Sequence, residues 1–218
     1  MIRIIVSVLL FAFSVTARAD AAAAAGPMDR VKSDVGAIIS TLKDTSVDRE
    51  TRWQRISLIL YGRIDFRTMS QSILAANWQN ASDEDKDKFV DYFSQYLEQV
   101  YREKIEAYTD QRVEYLNEIV AEQRAVVDTV IVAGKTKIPV TYKMINNDGD
   151  WYIYDVVIEG LSLVNNYRDT YGNKIKNEGM DGLLADIRGQ LEQYRADHLL
   201  QQQAREPETS TESGDPGQ

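Results

Sequence analysis

The chain has 218 residues, a net charge of −9, one histidine and no cysteine. Without cysteine there is no disulfide framework, no thiol nucleophile and no thiolate metal site. The acidic balance argues against a nucleic-acid partner, which wants a basic footprint, and against an electrostatic grip on anionic lipid surfaces.

A short positive start, Ile2-Arg3, precedes an apolar run over 4–15 and the small-x-small string Ala17-Arg18-Ala19. This is the pattern of a secretory signal peptide, with cleavage expected after Ala19. The run is too short for a bilayer span, which takes ~20 apolar residues. Residues 20–26 are alanine-rich and are expected to form a flexible mature N-terminus. One folded domain is expected over 27–204. Residues 205–218 carry Pro, Glu, Ser, Thr and Gly and are expected to be a disordered tail. An exported chain without disulfides must be held by packing alone.

Over 27–42, Met28, Val31, Val35, Ile38, Ile39 and Leu42 recur at helical spacing, and Pro27 suits a first turn. Residues 51–61 continue with Trp53, Ile56 and Leu60. Asp65 is a candidate cap for a helix over 66–78 that turns Met69, Ile73 and Leu74 inward. Ser82, with Asp85 three later, resembles a capping box. It opens the strongest stripe in the chain: Phe89, Phe93, Leu97, Val100, Tyr101 and Ile105, widened by Tyr92, Tyr96 and Tyr108. Such a stripe suits a core, or a core that also lines a cavity.

From Arg112 the period becomes two. Val113 and Tyr115 alternate with charged neighbours, and 126–133 is nearly all apolar, as in a central strand. Gly134-Lys135 marks a turn. Ile138, Val140, Tyr142 and Met144 then alternate with a wet face whose Pro139 signals an edge or a bulge. Asn146-Asn147-Asp148-Gly149 marks a hairpin. Strict alternation over 151–158 places Tyr152, Tyr154, Val156 and Ile158 on one face. The pattern predicts an α+β fold: a four-stranded antiparallel meander covered by helices on one face. A helix capped by Ser162 follows and ends at Gly179. A last helix carries Leu183, Leu184, Ile187 and Leu191.

Catalytic groups are few. His198, beside the tail, reads as a solvated surface histidine, and no phosphate-cradling loop or dinucleotide fingerprint is present. Asp155, mid-strand among apolar neighbours, is either a general base with a raised pKa or an exposed or paired carboxylate, with Arg168 as a candidate partner.

The string Trp151-Tyr-Ile-Tyr-Asp155-Val-Val-Ile-Glu159-Gly160-Leu-Ser162, followed by Gly179-Met-Asp181-Gly182-Leu183, resembles the MlaC family, also called toluene-tolerance auxiliary proteins. Ile64-Asp65-Phe66, Trp78, Ser82, Phe89 and Phe93 fall in the family's order, over roughly residues 30–195. Ala75 stands where many members have glycine. The resemblance implies a nuclear-transport-factor-two-like cone with an added helical subdomain. It implies a periplasmic phospholipid carrier between an outer-membrane lipoprotein complex and an inner-membrane ABC transporter complex. Both partners are expected to bind transiently and the chain to be a monomer. No cofactor is expected, phospholipid being cargo. The expected pocket comprises Tyr96 and Val100 from the aromatic helix, Val140, Tyr142, Tyr154, Val156 and Ile158 from the sheet, and Leu161, Ser162, Val164, Tyr167 and Leu183 beyond it. Leu161 and Ser162 are expected at its mouth or wall. Two other readings stand beside the carrier: an isomerase or dehydratase using Asp155 with Tyr142 or Tyr154, and a structural adaptor.

Overall fold

A computed structural model of the chain describes residues 25–108 and 111–205. The expected signal peptide and cleavage site, most of the alanine run and the expected tail from 206 onward lie outside the described residues. Helix α1 (Pro27–Lys43) starts on proline, whose missing N–H is no loss in a first turn. Asp48 caps α2 (Arg49–Arg63) by accepting the Thr51 N–H at 2.9 Å. Asp65 caps α3 (Phe66–Leu74) by accepting the Thr68 N–H at 2.8 Å.

The helix expected over 66–78 is broken. Ala75 takes φ +50° and ψ −119°, and a separate short helix, α4 (Ala76–Asn80), follows. That conformation is free to glycine but strained for any L side chain. Ser82 caps α5 (Asp83–Glu106), its hydroxyl accepting the Asp85 N–H at 3.1 Å. The same hydroxyl donates to the Asp85 carboxylate at 2.7 Å, so that carboxylate does not close a reciprocal capping box.

Strands β1 (Arg112–Ala121), β2 (Arg124–Ala133), β3 (Thr136–Asn147), β4 (Asp150–Ile158) and β5 (Leu161–Ser162) form one antiparallel sheet in that order. The expected four-stranded meander is thus one strand short. Glu159 and Gly160, both at positive φ, turn the chain so that Leu161 pairs with Ile158 and Ser162 with Val157. A two-residue strand leaves no periodicity to detect. Asp148-Gly149, also at positive φ, closes the β3–β4 hairpin where the turn signal lies. Pro139 lies in an inner strand, but β3–β4 pairing stops at Val140 opposite Ile158, so the sheet has a local edge there.

A bulge overturns the alternation expected along β4. Lys143 pairs with Asp155 and Met144 with Ile153, which leaves Tyr154 as the extra residue. Cross-strand partners share a face. Trp151 and Ile153 therefore join Val156 and Ile158 on the side of Val140, Tyr142 and Met144, while Tyr152 and Asp155 take the other side. The Tyr154 ring lies under Arg124, away from Val156 and Ile158.

Helix α1 lies over β1 and β2, whereas α2, α3 and α6 (Leu163–Arg205) meet the sheet at β4 and β5. Gly179, at φ +73°, breaks α6 into two arms, as its place in the sequence suggests. Two cores result. Val31, Ala125, Val127, Met144, Trp151 and Ile153 form one between α1 and the sheet. Met69, Leu74, Phe89, Phe93, Leu183 and Ile187 anchor the other among the helices. Arg30 and Arg63 meet Asp150 at 2.6 and 3.2 Å, and Arg63 meets Asp34 at 2.8 Å, tying α1, α2 and β4 together. Burial raises the Asp34 carboxyl above its usual range, against the two arginines that lower it.

Candidate functional site

The stripe on α5 changes character along its length. Phe89, Phe93 and Leu97 are buried, but Val100, Tyr101 and Ile105, which continue the same face, are only half-buried. Helix α2 runs beside this stretch and is fastened to it by polar contacts. The Trp53 indole N–H donates to Glu98 at 2.8 Å, and Arg102 meets Glu50 at 2.6 Å.

The inner face of the sheet shows the same gradient. At the Met144 end it is sealed by α1. Towards the other end, Val113, Ile131, Ile138, Val156 and Ile158 are half-buried. Cross-strand pairing sets these side chains on one face: Val113 opposite Ile131, Ile131 opposite Ile138, Val140 opposite Ile158. The chain leaving α5 enters β1 at Arg112, so the under-packed ends of helix and sheet converge at that junction. Helix α1 packs on β1 and β2, whereas α5 packs chiefly on α6 and α3.

Tyr142 packs against the core beneath α1. Burial pushes its phenol up to about 12, with help from Tyr115, while Thr129 works the other way through a hydrogen bond. Yet the residue keeps accessible surface. Thr129 Oγ1 donates to the Val140 carbonyl at 2.9 Å, so the neighbouring buried hydroxyl is satisfied.

The twelve residues expected to line one pocket are not gathered together. Val140, Tyr142, Val156 and Ile158 share the inner face, and Val100 lies on the under-packed half of α5. Val164 and Leu183 are buried in the helical core, with Tyr96 and Tyr167 packed against it. Tyr154 is turned to the far side by the bulge. Leu161 is 74% exposed and walls nothing. Ser162 is buried in a polar tie. Its hydroxyl donates to Asp155 Oδ2 at 2.7 Å and accepts the Asn165 N–H at 3.1 Å. Half-buried Ile59, Leu60, Ile105, Ile131 and Ile138 were missed. Their signal was the continuation of each stripe past the buried turns.

Asp155 is 2% exposed and fully engaged. Oδ1 accepts the Val164 N–H at 3.1 Å at the start of α6, and Oδ2 meets Lys143 Nζ at 2.9 Å besides Ser162. The expected partner, Arg168, instead donates to the Ser72 carbonyl at 2.9 Å. Lys143 escaped notice because the β3–β4 register is not written in either strand alone. Asp155 and Tyr142 lie on opposite faces, and Tyr154 is under Arg124, so no carboxylate–tyrosine pair converges. Among the described residues no acidic, histidine or cysteine cluster could hold a metal, and no helix is long and apolar enough to cross a membrane.

The fold is an α+β arrangement of one antiparallel sheet and packed helices around two separate cores. Residues 30–189 match the MlaC protein family, and the chain belongs to it. Among solved structures it is similar to a phospholipid-binding protein from Ralstonia solanacearum, determined in complex with a phospholipid. The two share 22% identity over 78% of this chain and 99% of that one, with a TM-score of 0.72.

Proposed function

We propose that the protein is a phospholipid carrier that holds acyl chains between the inner face of the sheet and the open half of α5. The observation that carries this is the matched gradient. Two apolar walls that are sealed at one end are half-exposed where they converge. A buried methylene gains about 0.8 kcal/mol, so hiding one acyl chain from water is worth on the order of 10 kcal/mol. The relative from Ralstonia solanacearum, bound to a phospholipid, supports the same reading. Val100, Val140, Tyr142, Val156 and Ile158 are the wall residues kept from the sequence; Tyr96, Tyr154, Leu161, Val164, Tyr167 and Leu183 are not. The signal peptide and the family support export to the periplasm. There the monomeric carrier passes lipid between an outer-membrane lipoprotein complex and an inner-membrane ABC transporter complex, the gap closing as a nuclear-transport-factor-two-like cone. The engaged state of Asp155 speaks against the enzyme reading.

The test is mass spectrometry of lipid extracted from the purified mature chain. Wild type carries phospholipid. Val100→Asp and Ile158→Asp, both half-buried and so tolerant of a polar atom, lose it while their circular dichroism is unchanged. A wild-type protein without phospholipid, or folded variants that keep it, overturns the assignment.

A further inference from the structure

The bend of α6 encloses a second cavity, of about 290 Å³, away from the sheet. Tyr96 comes from α5, Tyr167 and Tyr171 from the first arm of α6, Asp186 and Gln190 from the second. The three rings pack on one another along its lining. Tyr96 meets Tyr167 edge to face, with centroids 6.1 Å apart, and Tyr167 meets Tyr171 at 5.3 Å. Exposed Thr170, Asn173 and Asn177 form its rim.

Two features set this cavity apart from ordinary packing. Tyr171 is only 5% exposed, lines the cavity, and its hydroxyl has no hydrogen-bond partner. A phenol whose hydroxyl opens on a cavity without a protein partner is free to bond a ligand there. Burial also raises the Tyr171 phenol, so it remains neutral at physiological pH. The charges select the sign of a ligand. Lys174 Nζ is engaged by Glu178 at 2.9 Å and is 3.7 Å from Asp186. Asp186 otherwise accepts only the Gln190 amide, at 3.0 Å. Lys174 is held by Glu178, outside the lining, so Asp186 is the less compensated of the two charges that line the cavity. Aromatic faces, whose quadrupoles attract cations, line the interior. An anion would meet Asp186 and find the one ammonium taken.

We propose that the cavity in the bend of α6 is a binding site for a small organic ammonium cation, lined by Tyr96, Tyr167 and Tyr171 and countered by Asp186. A primary ammonium donates to the Asp186 carboxylate and to the Tyr171 hydroxyl oxygen, and a quaternary one rests on the rings. The site is separate from the apolar gap and does not rest on the carrier reading.

The test is a ¹H–¹⁵N NMR titration of the mature chain with ethanolamine hydrochloride and with tetramethylammonium chloride. Sodium chloride at equal ionic strength is the reference, and a short-chain phosphatidylethanolamine below its micelle concentration is a third arm. The expected result is saturable shifts confined to amides around residues 167–190, weakened several-fold by Asp186→Asn and by Tyr96→Leu. Binding of the free amines assigns the site to soluble ammonium compounds. Binding of the lipid alone, still lost in Asp186→Asn and kept in Val100→Asp, assigns it to a lipid headgroup. Shifts no larger than those from sodium chloride, or shifts indifferent to Asp186→Asn, overturn the proposal. Phospholipid co-purification stays unchanged in Asp186→Asn, so failure here leaves the carrier reading standing.

Discussion

Replacing Ala75 with glycine should make the protein more stable. At φ +50° and ψ −119°, Ala75 occupies backbone space that a Cβ disfavours, at a cost of about 1–3 kcal/mol. The residue is exposed, so its methyl buries nothing that glycine would forfeit. Both helix-end hydrogen bonds are backbone bonds that glycine keeps: Ala75 N–H to the Gln71 carbonyl at 3.0 Å and Trp78 N–H to the Ala75 carbonyl at 3.2 Å. Against the relief stands the greater freedom of glycine in the unfolded chain, roughly 0.5–1 kcal/mol. The balance is a gain of about 1 kcal/mol. For a domain of this size that raises Tm by roughly 2–4 °C. Urea unfolding and calorimetry on delipidated protein measure it, because bound ligand shifts Tm by itself. Ala76→Gly, one residue on and inside α4, should lose about 1 kcal/mol by helix propensity alone. If Ala75→Gly is no more stable than wild type, the strain assigned to this corner is absent.

Asp155→Ala strips Lys143, Ser162 and the Val164 N–H of a shared partner and should cost about 3 kcal/mol or more in urea unfolding; an unchanged midpoint would show the tie to be idle. Asp65→Ala removes the α3 cap and the 3.0 Å bond from the Asn147 amide, for a loss of about 1–2 kcal/mol by the same assay. The Tyr142 phenol, pushed up to about 12 when folded, ionises near 10 when unfolded. Its contribution to stability is therefore intact below about pH 10 and lost as pH rises towards 12. Tyr142→Phe should flatten the alkaline limb of a Tm–pH profile, and an identical limb in the variant would contradict this.

Long-period features were legible in the sequence, and single-residue events were not. The stripes of α1, α2 and α5, the Ser82 cap and the Asp148-Gly149 hairpin stand where their spacing puts them. The break at Ala75 was hidden because alanine favours helix on both sides of it. The Tyr154 bulge was hidden because every residue from Trp151 to Tyr154 is large and mostly apolar, so either phase of alternation fits. One misplaced residue then moved Tyr154 into an expected pocket and hid the pairing of Asp155 with Lys143. Tyr96 and Tyr167 were grouped with the sheet's apolar wall, since periodicity cannot tell which of two cores a stripe joins.

Among the described residues, Ile64 is the one side chain packed against both cores. Its neighbour Asp65 donates its backbone N–H to the Ile153 carbonyl at 2.9 Å. The halves also meet through the Asp155 tie and where α2, α3 and α6 reach β4 and β5, but few apolar side chains bridge the two cores. Acyl chains lying against both walls would supply the missing contacts. Cargo would then act as a third core, sharpening the unfolding transition and making release of lipid and loosening of the fold a single event.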